Sequence, residues 1–244
     1  MITPLFKPIG ASTHLLAEKY GTLFSTKATH TGTLDPIASG VVVIASEEDR
    51  FKKSELADGQ KTYVCRVLLG FSTDTHDILG LITESAQTSA EHAIWNTRAQ
   101  SFIGSQNQVL PSFSARRWQG KSFFDLAKQD AEIPFAQDQV SIFEISADKT
   151  QQMKSSAVLE EITSTISAVT GTFRQESILK QWQETLTKSE KHTVITMQII
   201  CSKRTYIRAL IRDISQKTGI PACVLSLTRT QNGQYLIADC ICLV

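Results

Sequence analysis

The sequence has no cysteine pair at metal-site spacing, no apolar run long enough to cross a membrane, and no marked excess of either charge. Its five cysteines are odd in number and form no C-x-x-C pair, which argues against a zinc site and against a disulfide scaffold. We therefore expect reduced, mostly buried thiols in a cytoplasmic protein. The N-terminus also lacks the apolar core of a signal peptide, so we expect no membrane association.

The charge balance leaves the class of partner open. The formal net charge is +1, from 25 basic and 24 acidic residues among 244. A neutral total can hide a basic face, so nucleic acid is neither required nor excluded. Basic residues do gather in two segments, RRWQGK at residues 116–121 and KRTYIRALIR at 203–212.

Hydrophobic periodicity predicts a mixture of strands and helices without the regular alternation of a doubly wound sheet, which favours an α+β fold. One helix is expected after a cap at Ser12 or Thr13, and a second after the capping box formed by Thr88 and Glu91, ending at Gly104. A third is expected over 205–218. Strands are predicted over 41–45, 61–69, 140–145 and 193–201.

One loop is a candidate for chemistry, HTGTLDP at residues 30–36, which precedes an apolar run. Pro36 restricts Asp35 to extended backbone, and Gly32 permits a tight path. A carboxylate on a loop so constrained is a candidate nucleophile or general base. The same pattern is equally typical of an aspartate that hydrogen-bonds its own turn. Alone, the loop leaves both interpretations open.

Four other segments carry suitable residue types, and each has a structural alternative. Tyr63 offers an aromatic face with a hydroxyl, but cross-strand packing also explains it. The polar run at 72–77 is typical of Asx turns. The loop at 108–117 interleaves rings and guanidinium groups, as in a nucleic-acid contact or a solvated loop. Arg208 is either a surface residue or, if buried, the partner of an anion.

Taken in order, these motifs resemble those of the TruB family of tRNA pseudouridine synthases. A single GTLDP match is a weak signal, whereas five ordered blocks across nearly all of the chain outside 147–192 are specific. The opening KPIGAS at residues 7–12 matches as well. The five blocks are HTGTLDPIASG at 30–40, KTY at 61–63, LGFSTDTHDILG at 69–80, PSFSARRWQGK at 111–121 and CSKRTYIR at 201–208.

The resemblance implies the α+β pseudouridine-synthase fold, a mixed and largely antiparallel central sheet flanked by helices and loops. It implies an isomerase that flips uridine 55 of the tRNA T-loop and needs no cofactor and no metal. By motif position, Asp35 is the essential carboxylate, Tyr63 stacks on the base or takes a sugar proton, and Arg208 pairs with Asp35. The resemblance leaves the role of Asp35 open: its carboxylate attacks C1′, attacks C6 of the base, or stabilises a sugar intermediate.

The resemblance also implies an RNA interface. His30 matches a residue that inserts where bases have left the stack, and Leu227 matches the apolar wall of the base pocket. The expected partner is the T-arm stem-loop of tRNA, bound by a monomer. Further RNA contacts are predicted at Thr33, Arg116, Lys121, Lys203 and Tyr206.

Several positions depart from the family pattern. Thr29 and Arg204 stand where glycine is usual, and Phe113 replaces a frequent tyrosine. The polar segment 147–192, with helical pieces around 157–169 and 178–186, is interpreted as a lineage-specific surface insertion in a single catalytic domain spanning 1–244. We expect no C-terminal PUA-type domain, and hence weaker or redistributed tRNA contacts that the insertion partly recovers.

Two other functions compete with the isomerase. One is a tRNA-folding chaperone that grips T-loops without catalysis, and the other is a pseudouridine synthase acting on a different RNA. The pairing of Asp35 with Arg208 argues against the chaperone, because binding alone needs no carboxylate facing RNA phosphates.

Overall fold

The computed structural model describes residues 1–87, 92–129, 131–186 and 191–243. Its strands are β1 (Ile2–Lys7), β2 (Ala28–His30), β3 (Ala38–Ser46), β4 (Lys61–Leu69), β5 (Phe71–Thr73), β6 (Ile82–Ser85), β7 (Gly104–Val109), β8 (Arg117–Trp118), β9 (Lys121–Ser122), β10 (Gln137–Lys154), β11 (Lys191–Cys201), β12 (Ala222–Asn232) and β13 (Tyr235–Leu236). Its α-helices are α1 (Thr13–Leu23), α2 (Lys53–Leu56), α3 (His92–Gln100), α4 (Phe123–Lys128), α5 (Ser155–Ala168), α6 (Gln175–Leu186) and α7 (Ile207–Thr218).

A central sheet, with nine strands among the described residues, organises the fold. Its order is β1-β3-β12-β4-β11-β10-β7, with β2 paired to β3 and β13 paired to β12. Neighbouring strands are antiparallel except β3 and β12, which are parallel. The predicted α+β fold with a mixed, largely antiparallel sheet is confirmed. The sheet places β4, the strand of Tyr63, between β12 and β11.

The ends of the helices follow their capping residues. Ser12 caps α1, because its hydroxyl accepts from the backbone N–H of Leu15. Gly219 ends α7 with a left-handed φ of 72°, and its N–H donates to the carbonyl of Ser215. The predicted helix after residue 91 ends at Gln100, earlier than expected, and Gly104 instead begins β7. Its predicted capping box at 88–91 lies outside the described residues.

The segment 147–192 corrects one prediction, because it is not a surface appendage. Its first and last parts belong to β10 and β11, which pair with each other inside the central sheet. The helices α5 and α6 were correctly predicted, but they pack an apolar face into the core. The exposed faces of α5 and α6 are polar, which favours the interpretation as a surface insertion. Their apolar residues nevertheless recur at helical spacing, as expected of helices that pack against a core. Six apolar residues of these two helices are fully or almost fully buried: Val158, Ile162, Ile166, Ile178, Trp182 and Leu186.

Whether segment 147–192 is an insertion relative to the family remains a prediction.

Among the residues that the structure describes, no helix is both long and apolar enough to span a bilayer.

Candidate active site

The loop that carries Asp35 connects β2 to β3 and is fastened to the start of α1. The hydroxyl of Thr13 accepts from the Leu34 N–H at 3.1 Å and donates to the Leu34 carbonyl at 3.3 Å. On the other side, the Gly10 N–H donates to the Pro36 carbonyl at 2.8 Å. The backbone is therefore held on both sides of Asp35.

Arg208, the second residue of α7, orients the Asp35 carboxylate. Its Nε donates to Oδ2 of Asp35 at 2.8 Å and its Nη2 donates to Oδ1 at 2.9 Å. The guanidinium also donates to the carbonyls of Thr75 and Phe113, each at 2.8 Å. The Arg208 side chain is 4% exposed and that of Asp35 is 28% exposed. A buried, fully paired cation thus fixes a carboxylate that remains accessible from the outside.

A second carboxylate, Asp77, contacts the same cation. Its Oδ2 lies 3.5 Å from Nε of Arg208, and its Oδ1 accepts from the Thr75 hydroxyl at 2.6 Å and from the Leu79 N–H at 2.9 Å. Burial raises the pKa of Asp77 to about 6, although Arg208 opposes that shift. Burial alone would lower the pKa of Arg208, but Asp35 and Asp77 outweigh it and raise that pKa.

Asp77 was missed as a site residue because the run 72–77 was interpreted as a turn. That interpretation is correct for its Oδ1, which does bond the local chain. The contact with Arg208 depends on a helix far along the sequence, so no local pattern indicates it.

Tyr63 lies on β4 opposite Arg229 of β12. Arg229 is 2% exposed; its Nε donates to the Val41 carbonyl at 2.7 Å and its Nη2 to the Gly32 carbonyl at 3.2 Å. Burial raises the pKa of Tyr63, and the nearby charge of Arg229 opposes that shift. The phenol is therefore neutral near pH 7. The sequence motifs assign no role to Arg229, and its signal is a charge on the alternating face of β12 that Leu225 and Leu227 mark as buried.

Two cavities meet at Asp35. The first, of about 350 Å³, is here named the Tyr63 cavity, and its lining includes Asp35, Tyr63 and Leu227. The second, of about 640 Å³, is named the Phe113 cavity, and its lining includes Asp35, Arg208 and Phe113. In the described part of the chain, no group of three or more His, Cys, Asp or Glu side chains is placed to hold a metal ion.

The structure brings most of the predicted RNA-contact residues to these cavities. Thr33 lines both, His30 lines the Phe113 cavity, and the Tyr63 cavity is lined by Leu227, Arg116, Lys203 and Tyr206. Lys121 lines neither of them. It lies on β9 in an exposed hairpin, where its Nζ donates to the Gln129 side chain at 3.3 Å.

Two of these cations already have acidic neighbours. A guanidinium nitrogen of Arg116 lies 3.5 Å from Asp138, and Nζ of Lys203 lies 2.6 Å from Asp58. The carboxylate of Asp58 is largely exposed, so its pairing with Lys203 is weak and can be exchanged for a phosphate.

His30 is partly buried on β2 beside the Asp35 loop. Burial lowers the pKa of His30 to about 4, assisted by the nearby Lys53, His14 and Arg229. The imidazole is therefore neutral at pH 7. Its Nδ1 is buried and has no hydrogen-bond partner among the described residues.

Arg204 is one of the residues that depart from the family pattern. It stands where glycine is usual, and its φ is +66°, in the left-handed region that glycine adopts without strain. Arg204 also lines the Tyr63 cavity. The chain thus accepts backbone strain at this position and gains a cation at the site.

Comparisons with known proteins agree with this geometry. A family model described as "TruB family pseudouridylate synthase (N terminal domain)" matches residues 21–174. The chain is 31% identical over 237 residues to tRNA pseudouridine synthase B of Oceanobacillus iheyensis, covering 96% of this chain and 66% of that protein. It is 29% identical to the Pseudoalteromonas translucida protein of the same name, covering 95% and 61%. The chain thus spans less than two thirds of the length of these curated relatives.

Solved structures share the fold. A chain of a Cbf5–Nop10–Gar1 complex superposes with a TM-score of 0.61 at 19% identity, over 99% of this chain and 52% of that one. A chain of an H/ACA ribonucleoprotein bound to a substrate RNA containing 2′-deoxyuridine gives 0.59 at 18%, over 99% and 50%. The predicted pseudouridine-synthase fold is confirmed. Because the family model matches more than half of the sequence, this chain belongs to the TruB family of pseudouridylate synthases.

Proposed function

We propose that this chain isomerises uridine to pseudouridine in tRNA, at position 55 of the T-loop, with Asp35 as the reacting carboxylate. One observation carries the proposal: Asp35 is gripped at both oxygens by the buried Arg208 and is still accessible where the two cavities meet. The names of the relatives support tRNA as the substrate. Position 55 rests on the motifs of the sequence.

The proposed reaction breaks the bond between C1′ and N1 of the uracil and forms one between C1′ and C5. A proton leaves C5 and a proton is gained at N1, so no electrons are exchanged with a cofactor. Positive character develops at C1′ as the bond breaks, and the oriented Asp35 carboxylate either stabilises it or attacks.

The Tyr63 cavity suits the detached base. Tyr63 provides a flat ring on a rigid central strand, and Leu227 provides an apolar wall. The pairing of β4 with strands on both sides fixes the position of the ring while the base turns. The phenol has a raised pKa, so Tyr63 acts as a stacking platform and is a poor base in its resting state.

The RNA surface in this proposal surrounds the same cavities. His30, which is neutral and lines the Phe113 cavity, inserts where the uridine has left the loop. Arg116, Lys203 and Tyr206 contact the backbone near the Tyr63 cavity, and Lys121 contacts it from the exposed hairpin. We propose a monomer acting on the T-arm in the cytoplasm, where five free cysteines remain reduced.

The decisive experiment incubates the purified protein with an unmodified tRNA transcript and maps pseudouridine. We expect conversion at the T-loop uridine, and a rate in Asp35→Asn below about one thousandth of wild type. RNA affinity of Asp35→Asn should stay within a few-fold, because the change is local and nearly isosteric.

The alternatives predict different outcomes in the same assay. Normal tRNA binding without conversion by the wild type indicates a chaperone. Conversion at another uridine, or only in a different RNA, indicates a synthase of other specificity.

A further inference from the structure

The turn between α5 and α6, residues 169–174, is tied to the loop of Asp35. Thr170 donates to the Gly10 carbonyl from its N–H at 3.4 Å and from its hydroxyl at 3.1 Å. The N–H of Gly10 in turn donates to Pro36, next to Asp35. Gly10 has a φ of +82°, and a Cβ there would lie 1.8 Å from the Ala168 carbonyl oxygen. The α5–α6 turn is therefore joined to the Asp35 loop through Gly10.

Arg174 extends from this turn over the Phe113 cavity. Its Nη2 donates to Oδ2 of Asp74 at 2.8 Å, and its guanidinium carbon lies 5.3 Å from the centre of the Phe113 ring. The side chain remains 40% exposed. Arg174 is thus placed by two contacts and can still meet a ligand that enters the cavity.

Three half-buried aromatic rings accompany this cation. The Phe124 ring centre lies 6.3 Å from that of Phe113 and 5.2 Å from that of Phe173, and both pairs are tilted or edge-on. Lys128 has its Nζ 5.0 Å from the Phe124 centre and 5.6 Å from that of Phe173. These pairs are not stacked face to face, so none of the three rings covers the face of another.

The charge of the Phe113 cavity favours an anionic ligand. Its lining includes five basic side chains and two carboxylates, and both carboxylates contact Arg208. The other four basic residues are Lys53, Arg117, Lys128 and Arg174. Aromatic faces beside cations are the combination by which proteins bind unpaired nucleotides, the ring taking the base and the cation the phosphate.

We propose that the α5–α6 turn and the Phe113 cavity bind an unpaired nucleotide of the substrate RNA adjacent to the uridine that reacts at Asp35. The base stacks on the Phe173 side of the aromatic cluster, and Arg174 and Lys128 contact its phosphates. This inference rests on the proposed function and assigns part of the RNA interface to segment 147–192. Charge complementarity and direct continuity with Asp35 identify RNA as the occupant.

The test measures binding of a fluorescently labelled T-arm stem-loop RNA by anisotropy. We expect Phe173→Leu and Arg174→Asn each to raise Kd about tenfold. Arg174→Asn and Lys128→Gln should each reduce the slope of log Kd against log salt by about one. Asparagine suits the positive φ of 62° at Arg174, and denaturation curves verify that the variants fold. Lys180→Gln, an exposed charge on α6 outside the cavity, is the matched control and should leave Kd within twofold.

Asp74→Asn distinguishes a direct contact of Arg174 with RNA from a purely structural role of Arg174 in holding the loops together. Asparagine keeps the Oδ1 that accepts from the Leu81 N–H at 2.9 Å, but it releases Arg174. If Arg174 contacts RNA, Asp74→Asn retains or tightens binding while Arg174→Asn weakens it. If both changes leave Kd unaltered and lower kcat, the turn only braces the loop and the proposal is wrong.

The same measurements keep this inference apart from the proposed function. Conversion of uridine by the wild type, with unchanged Kd in Phe173→Leu and Arg174→Asn, overturns the nucleotide site alone. Absence of conversion, with Kd raised in both variants, overturns the isomerase and supports the nucleotide site.

Discussion

The two cavities that share Asp35 differ in how firmly their characteristic side chains are held. The Tyr63 cavity takes Tyr63 from β4, and Leu227 and Arg229 from β12, at the centre of the sheet, where all three are almost fully buried, and loops complete its lining. The rings of the Phe113 cavity are half-buried, and its cations other than Arg208 are exposed on α2, β8, α4 and the α5–α6 turn. Paired strands restrain a side chain from both sides, whereas loops and helix ends yield more easily.

In the proposed reaction, this difference assigns bond breaking to the Tyr63 cavity and RNA binding to the Phe113 cavity. Bond breaking requires groups held to within fractions of an ångström, which central strands provide. Accommodating a folded RNA requires surfaces that adjust, which loops provide. Asp35 forms the boundary, because it lines both cavities and is held at both carboxylate oxygens by Arg208.

The largest effect should come from Arg208→Lys, which breaks the boundary itself. Lysine cannot bond both oxygens of Asp35 and the two carbonyls together, so charges and acceptors at the buried site lose partners. We expect turnover to fall at least about 100-fold, the free energy of unfolding to fall by about 3 kcal/mol and RNA affinity to change little.

Arg212→Lys is the matched control for that change. Arg212 lies one turn further along α7, where it bonds Asp213 and the Val109 carbonyl, and it lines neither of the two cavities. It should lose far less activity. Equal losses of turnover and affinity in Arg208→Lys would make Arg208 a phosphate contact.

Tyr63→Phe tests whether the Tyr63 ring or its hydroxyl serves the reaction. The change removes a buried hydroxyl, so unfolding should become easier by about 1 kcal/mol. Phenylalanine keeps the flat face on which the base stacks, so we expect kcat and KM each to change less than threefold. A fall in kcat of more than tenfold would instead assign the hydroxyl a part in proton transfer.

Tyr20→Phe serves as the control for Tyr63→Phe. Tyr20 is equally buried and its hydroxyl bonds Thr3 at 2.9 Å, but it lines neither cavity. It should lose similar stability and no activity. If both variants lose the same activity, the effect is general destabilisation.

A pH titration of stability tests the buried cations on the sheet side. Lys7 is fully buried and its Nζ donates to the Ala38 carbonyl at 2.5 Å. Burial lowers the pKa of Lys7 from 10.5 to about 8, with Asp35 opposing. Between these two values the unfolded chain binds more protons, so the Lys7 contribution to stability rises with pH by at most about 1.4 kcal/mol per pH unit.

Urea denaturation of wild type and Lys7→Met at pH 7, 9 and 10 measures this contribution. The wild type should gain stability relative to Lys7→Met above about pH 8, and the difference between them should be constant below it. A constant difference at every pH contradicts the expectation. Lys19→Met, an exposed change on α1, is the control.

The smallest effect is expected at the rim of the Tyr63 cavity. The left-handed φ at Arg204 costs free energy in any residue with a Cβ, and glycine adopts it without that cost. Arg204→Gly should therefore stabilise the fold by about 0.5–1 kcal/mol, since the strain energy removed is slightly larger than the free-energy cost of the extra conformational entropy of the unfolded chain. Arg204→Ala keeps the Cβ and should not stabilise. Calorimetry of the two variants compares them directly, and equal melting temperatures would assign no strain to Arg204.

The sequence predicted the elements well where the signal is local. Periodicity indicated β4 over its full length, and Ser12 and Gly219 marked helix ends, because capping and turn conformations depend on a few adjacent residues. The prediction that segment 147–192 lies on the surface was wrong, because the many polar residues on the outer faces of α5 and α6 outweighed their apolar stripes in that interpretation. Sequence-based prediction also missed Asp77, Arg229 and the contribution of Phe173 and Arg174.

By itself, the sequence determined five of the helices, four of the longer strands and the constrained loop of Asp35, and the ordered motifs identified the family; it did not indicate β12, which lies at the centre of the sheet. Those properties depend on neighbouring residues and on residue order. Only the tertiary structure decided that Arg208 bonds both oxygens of Asp35, that Asp77 shares this cation, and that the α5–α6 turn lies beside the reacting loop. Each such contact joins residues distant in the sequence, and the order of strands in the sheet determines which of them meet.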